Sequence, residues 1–324
     1  MTEVAPSTSL GSREQPSTDA SARGGGAPAS PIVAALDGPT LDGLARTRAR
    51  EAEVPRRVGR YTVLRHLGKG GMGQVLEALD PELDRRVALK LLRVGRGGTA
   101  ANARLLREAQ VMARISDPHV VQVYDAGLAG DRVFLAMELV RGRTLRQWLA
   151  AGPRPWREIL RVMIDAGRGL AAAHAVGVIH RDFKPDNVLV DDDGRVRVAD
   201  FGLANLERAA VAAARPGNFE GRFVGLTQTG AIVGTPLYMA PEQHAGLELD
   251  ARADQFSFCV ALHEALLGAH PYPGTTAIEL AAAVLAGRYV APPSRRGLPR
   301  ALVRAIERGL ATDPGRRFVD IEAL

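Results

Sequence analysis

From Tyr61 onward, apolar and polar positions follow two regular rhythms; before it they follow none. Short runs bounded by glycine or Pro81, namely Tyr61–Leu67, Val75–Ala78 and Arg86–Leu92, predict strands. Between Ala100 and Ile115 the apolar residues Leu105, Ala109 and Met112 recur at helical spacing and predict a helix. Two more strand-like runs follow, Val120–Tyr124 and Val133–Leu139. After Thr144 the pattern turns mostly helical, with long segments over Trp156–Ala175 and Gln255–Gly268. Strands, one helix, strands and then helices predict an α+β chain: a small strand-rich first lobe with one key helix, and a larger helical second lobe.

Residues 1 to about 57 are rich in Ser, Pro, Ala and Gly and carry seven acidic residues against seven arginines. Such a segment buries too little surface to offset its ordering entropy, so a disordered tail is expected, with at most a short helix over Ile32–Ala45. The chain's formal charge of +6 therefore arises downstream. Its arginines are scattered and not gathered in blocks, which favours a solvated basic surface over a nucleic-acid site. The single cysteine, Cys259, excludes an intrachain disulfide and fits a reducing compartment; it sits in an apolar run and is expected in the core. The N-terminus lacks a signal pattern, and no apolar run reaches the length of about 18 residues that a membrane helix needs. A soluble, cytoplasmic protein is expected.

The basic residues hold a further clue. Of 42, only Lys69, Lys90 and Lys184 are lysine. Lys69 lies in GKGGMGQV, where Gly68, Gly70 and Gly73 would let backbone N–H groups approach phosphate oxygens. A strand follows these glycines, so neither a Walker loop nor a dinucleotide fold is indicated. Lys90 ends VALK and, by strand alternation, shares a face with Ala88. Glu108, in mid-helix, is placed to reach back to Lys90. Lys184 lies in HRDFKPDN, which Pro185 marks as a loop. There Asp182 can orient a hydroxyl and accept its proton, and Lys184 can meet a transferred phosphate. Asn187, together with Asp200 of DFG, can bind Mg²⁺.

GKGGMGQV, VALK, Glu108, HRDFKPDN, DFG and Ala240–Glu242 (APE) occur in the order of the eukaryotic-like protein kinases, over about residues 59–324. GTPLYMAPEQ (Gly234–Gln243) resembles the bacterial serine/threonine (Hanks-type) branch. The resemblance implies a tail over 1–57 and a kinase domain over 58–324, its N-lobe about 58–138 and its C-lobe about 143–324. It implies ATP and Mg²⁺ as cofactors, with Mn²⁺ as a substitute. Leu67, Gly68, Gly70, Gly73 and Val75 would cover the nucleotide. Val75, Ala88 and Leu189 would sandwich adenine, Met137 would back the pocket, and the backbone of Glu138 and Leu139 would bond the base edge. Lys90 would hold the α- and β-phosphates and pair with Glu108. Asp182 would be the base, Lys184 a second catalytic residue, and Asn187 and Asp200 the metal ligands. Glu242 would pair with Arg317, and Asp254 would brace the catalytic loop.

Lys184 and Thr235 match members that phosphorylate Ser or Thr of protein substrates. Arg181 implies control by phosphate on the segment Phe201–Glu242, with Thr227 and Thr229 as candidate sites. No nucleic-acid partner and no membrane segment are expected; a transient homodimer is allowed. A pseudokinase scaffold is the main alternative, and a small-molecule phosphotransferase of related fold a lesser one. Cys259 stands where the family usually has glycine, Phe183 where it usually has leucine, and Leu324 falls within what should be the last helix.

Overall fold

In the computed structural model the described residues are 56–70, 73–92, 98–130, 132–201, 236–291 and 297–324. The chain divides between Arg48 and Ala49, and all described residues lie on the C-terminal side of that point. The expected tail and helix before residue 56, and Thr227, Thr229 and Thr235, lie outside them.

The first lobe is one antiparallel sheet. Its strands are β1 (Arg57–Val58), β2 (Tyr61–Gly70), β3 (Gly73–Asp80), β4 (Arg85–Leu92), β5 (Val123–Ala129) and β6 (Arg132–Glu138), in the order β1-β2-β3-β4-β6-β5. Register decides what each face carries, because directly paired residues point the same way. Val75 pairs with Lys90, Lys90 with Leu135, and Ala88 with Met137, so these five share one face. The opposite face holds Leu76, Ala78, Val87, Leu89, Leu91 and Ala136, which form their own core with Tyr61 and Phe134. Those two rings meet edge to face at 5.7 Å. The predicted helix is α1 (Gly98–Met112), which packs on β5 and β6.

One strand is displaced from its expected position. Val120–Tyr124 reads as β, but β5 begins only at Val123. Asp117 Oδ1 accepts the His119 N–H at 2.8 Å and turns the chain at Pro118. Val120 then bridges Val198 of the second lobe, and the Val121 N–H donates to the Val198 carbonyl at 2.9 Å. β-propensity there serves a contact between lobes.

The second lobe opens with β7 (Gly142–Thr144) and α2 (Leu145–Ala150), which starts at a Thr144/Gln147 capping box. Helix α3 matches its predicted span, Trp156–Ala175. Its buried stripe, Ile159, Val162, Met163, Ala166, Leu170 and Ala173, keeps the 3–4 residue spacing of one helical face. Strands β8 (Val188–Asp191) and β9 (Val196–Val198) form a hairpin around Asp191–Gly194. Helices α4 (Pro241–His244), α5 (Ala251–Leu267), α6 (Ala277–Leu285) and α7 (Arg300–Gly309) follow. Helix α5 is buried almost all round from Ala253 to His263, as the central post of the lobe must be.

Cys259 is fully buried on α5, as expected. The space that a glycine at 259 would leave is supplied from α7 instead. A Cβ on Gly309 would collide with the Cys259 sulfur. Burial pushes the Cys259 thiol up to about 12, which leaves it an inert packing group.

Candidate functional site

The site grows from two short segments that flank β8. The first, His180–Asn187, has no regular structure of its own before the 3₁₀ turn Pro185–Asn187, so its shape must come from partners. Asp254, on α5 and fully buried, supplies most of them. Its Oδ2 accepts the His180 N–H at 2.7 Å and lies 2.7 Å from His174 Nε2, and its Oδ1 accepts the Arg181 N–H at 2.8 Å. Arg181 is thereby held at φ +67°, a conformation that a non-glycine residue keeps only when its surroundings impose it. The Arg181 carbonyl accepts from the Gln243 amide at 2.9 Å.

His180 orients the loop and takes no part at its surface. It is fully buried, its Nδ1 accepts the Asp182 N–H at 3.3 Å, and its Nε2–H donates to the Ala199 carbonyl at 2.9 Å. That assignment sets the tautomer. Phe183, also fully buried, packs against Phe258 of α5 with ring centroids 5.6 Å apart, so the ring anchors the loop where leucine was the commoner choice.

With the backbone pinned, the side chains converge. Lys184 Nζ lies 2.7 Å from Asp182 Oδ2. Asn187 Nδ2 donates to the Asp182 carbonyl at 2.8 Å and to its Oδ2 at 3.3 Å, which leaves Asn187 Oδ1 as the atom able to face a cation. Across β8, the Ala199 N–H donates to the Asn187 carbonyl at 2.8 Å and brings Asp200 alongside. Asp200 sits at φ +64°.

Asp200 also reaches the first lobe. Lys90 Nζ, on a side chain only 4% exposed, lies 2.7 Å from Asp200 Oδ2. Sequence reasoning had not assigned this partner. Glu108, the partner it did propose, lies half-buried midway along α1. Burial would push the Asp200 carboxyl up, but the ammonium groups, Lys90 beside it first and Lys184 less, together outweigh burial. The carboxyl is held below its ordinary range. Both ammonium–carboxylate pairs thus belong to one electrostatic unit.

The donor set suits a hard divalent ion. It offers one ionised carboxylate and one amide oxygen, and among the described residues no three His, Cys, Asp or Glu side chains form a metal centre of their own. An ion here would draw further oxygens from phosphate or water, as Mg²⁺ prefers.

The sheet face above carries Val75, Ala88, Lys90 and Met137 in register, and Leu189 of β8 is half-buried. Leu67 and Gly68 lie on β2 beside Val75, with Gly68 and Val75 paired, and Gly70 pairs with Gly73 at the sheet's end. Gly73 has φ +144°, and a Cβ there would collide with the Leu91 carbonyl, so glycine is required. A Cβ on Gly68 would meet nothing within 4 Å. The edge of this region is Glu138, the last residue of β6. Its N–H is committed to the Gln122 carbonyl at 2.9 Å, so only its carbonyl can face a base. Its carboxylate is held by Arg197 at 3.0 Å.

Two supports complete the site. Glu242 and Arg317 form the expected buried pair, at 2.6 and 2.8 Å. Arg146 was missed by sequence reasoning. Its guanidinium bonds both Asp186 oxygens at 2.9 Å and the Tyr238 hydroxyl at 2.9 Å, and Tyr238 in turn donates to Glu264. One more arginine in an arginine-rich chain carries no signal without its partners.

The protein kinase domain family matches residues 61–319. Serine/threonine-protein kinase PknD of Mycobacterium tuberculosis is 38% identical over 271 residues, covering 82% of this chain and 39% of PknD. Serine/threonine-protein kinase PknL of Mycobacterium bovis is 41% identical over 224 residues, covering 68% of this chain and 53% of PknL. The chain thus spans about two-fifths to one-half of these relatives. The crystal structure of the Mycobacterium tuberculosis PknI kinase domain superposes with a TM-score of 0.60 at 27% identity, over 82% of this chain and 94% of that one.

Proposed function

The chain belongs to the protein kinase domain family, in its bacterial serine/threonine branch, and on that premise we propose that it transfers the γ-phosphoryl group of Mg²⁺-bound ATP to Ser and Thr hydroxyls of protein substrates. The observation that carries this reading is the joining of two ammonium–carboxylate pairs, Lys90–Asp200 and Lys184–Asp182, at 2.7 Å each where the lobes meet. When bound, ATP would supply the phosphoryl group and Mg²⁺ would neutralise charge on it. Asp182 orients the acceptor hydroxyl and takes its proton, while Lys184 shields the charge beside it. Asn187 Oδ1 and Asp200 would hold the metal, and Lys90 would meet the nucleotide's phosphates. Val75, Ala88, Leu189, Leu67 and Met137 enclose the base, and Gly68, Gly70 and Gly73 cover the phosphates. Positioning and preorganised charge account for catalysis of this kind.

The kinase domain is assigned to residues 58–324, with the cleft between lobes of about 58–138 and 143–324. We place the protein in the cytoplasm on its single cysteine; among the described residues no helix is long and apolar enough to cross a membrane. Autophosphorylation at Thr227 or Thr229 is the proposed control. It is supported by Arg181, whose Nε is buried without a hydrogen-bond partner among the described residues and so has capacity for an anion. A pseudokinase scaffold would have no use for the full set Lys90, Asp182, Asn187 and Asp200.

The test is transfer of label from γ-labelled ATP to casein by the full chain. Transfer to Ser and Thr is expected, and Asp182→Ala should lower it by about 10²–10⁴-fold, the range of a lost general base. No transfer by the natural sequence, or equal transfer by Asp182→Ala, contradicts the reading.

A further inference from the structure

A groove on the second lobe, outside the cleft, has a charge opposite to that of the molecule. It encloses about 550 Å³ between α4, the loop that follows it, the end of α6 and the turn at Pro314. Its floor is apolar: Pro241, Leu249 and Leu285, with Leu247 standing 64% exposed at the edge. Its charged lining is Glu242, Glu248 and Asp250. Glu242 is consumed by Arg317. Among the described residues Glu248 and Asp250 form no ion pair; Asp250 only caps α5 through the Arg252 N–H at 2.8 Å. Among the described residues no lysine or arginine lines the groove, although the chain has 42 of them and a formal charge of +6. The Glu248 carboxylate, with the Asp250 cap beside it and an exposed leucine next to both, complements a polypeptide with basic and large apolar side chains.

The groove also touches the machinery. Pro241 and Glu242 belong to α4, and the next residue, Gln243, donates to the Arg181 carbonyl at 2.9 Å, one residue before Asp182. A polypeptide held in the groove would therefore be tethered within reach of the proposed acceptor site, and tethering raises local concentration without a new catalytic contact. We propose that this groove docks a basic–apolar segment of the protein substrate, separate from the segment that carries the acceptor hydroxyl. The proposal rests on the kinase reading for its purpose, but its binding step does not require transfer.

The experiment uses the full chain and a fluorescent peptide of alternating leucine and arginine without Ser or Thr, followed by anisotropy. Saturable binding is expected, also for Asp182→Ala. Glu248→Lys and, separately, Leu247→Glu should each weaken it by about tenfold or more, as for a desolvated anchor or its charge partner. Asp250→Asn, which keeps the cap, should weaken it less. A leucine–glutamate peptide should not compete. Casein fused to the leucine–arginine segment should show a lower KM than casein alone with the same kcat, and Glu248→Lys should erase that difference. Circular dichroism of each variant separates lost docking from lost fold. Binding unaffected by both substitutions, or equal binding of the acidic peptide, overturns the proposal. So does a dimer that Leu247→Glu converts to monomer, since a second copy would then fill the groove. Transfer to casein with an unchanged KM for the fusion sinks docking and leaves the kinase reading standing; peptide binding without any transfer does the reverse.

Discussion

Lys184 occupies a space that suits an ammonium: Nζ lies 2.7 Å from Asp182 Oδ2 and the side chain is only 14% exposed. A guanidinium is planar and bulkier, and needs a fork of acceptors that the loop does not offer. Lys184→Arg should therefore lower phosphotransfer by about tenfold or more while leaving the urea midpoint almost unchanged; an equal rate would show that charge alone matters there. Cys259 makes a complementary case in the core. Gly309→Ala should destabilise the chain by about 1–3 kcal/mol, the usual cost of overpacking. Adding Cys259→Gly should recover part of that loss, because the added methyl then finds the space that the sulfur vacates. Urea denaturation of the two single variants and the double variant measures the coupling; strict additivity would contradict the packing account.

Elements differ in how far the sequence discloses them. Helix α3 was legible to its ends because its apolar spacing is regular and Pro155 precedes it. The β8–β9 hairpin turns where Asp191 Oδ1 accepts the Asp193 and Arg195 N–H groups, at 3.0 and 2.8 Å. β5 was not legible, because Val120 and Val121 are bound to Val198, a partner far along the chain that no local pattern can announce. The same holds within the site: Asp182, Lys184, Asn187 and Asp200 stood out by motif, whereas Arg146 and the Lys90–Asp200 pair depend on partners brought in by the fold. The β2–β4 sheet yields a pH prediction. Burial pushes the Glu77 carboxyl up, but Arg86 at 2.8 Å and Arg65 at 2.6 Å outweigh it and hold it below its ordinary 4.5. A carboxyl depressed in the folded state adds stability that is present above pH 4.5 and lost as pH falls below it. Melting temperature followed from pH 6 to pH 3 should fall less steeply for Glu77→Gln than for the natural chain; parallel curves would contradict this. In the second lobe the buried Glu242–Arg317 pair holds elements far apart in the chain, and Arg317→Ala should cost about 3–5 kcal/mol in urea denaturation because it strands a buried carboxylate.

At the scale of the molecule, the two lobes are made differently and meet where the chemistry is proposed. The first reserves one sheet face for its own core and turns the other, with Lys90, Ala88 and Met137, toward the second lobe. The second builds its loop on a buried post, α5, so that Asp182, Asn187 and Asp200 are held by backbone partners and not by the exposed surface. The central claim is that Lys90, Asn187 and Asp200 converge on the phosphates of a nucleotide together with magnesium. Calorimetric titration of the full chain with a non-hydrolysable ATP analogue tests it most directly, run with and without Mg²⁺. The account predicts a saturable signal that is strengthened by Mg²⁺, kept by Asp182→Ala, and stripped of its Mg²⁺ dependence by Asp200→Ala. A flat trace for the natural chain in Mg²⁺, or an Asp200→Ala chain that still responds to the metal as the natural one does, would contradict it.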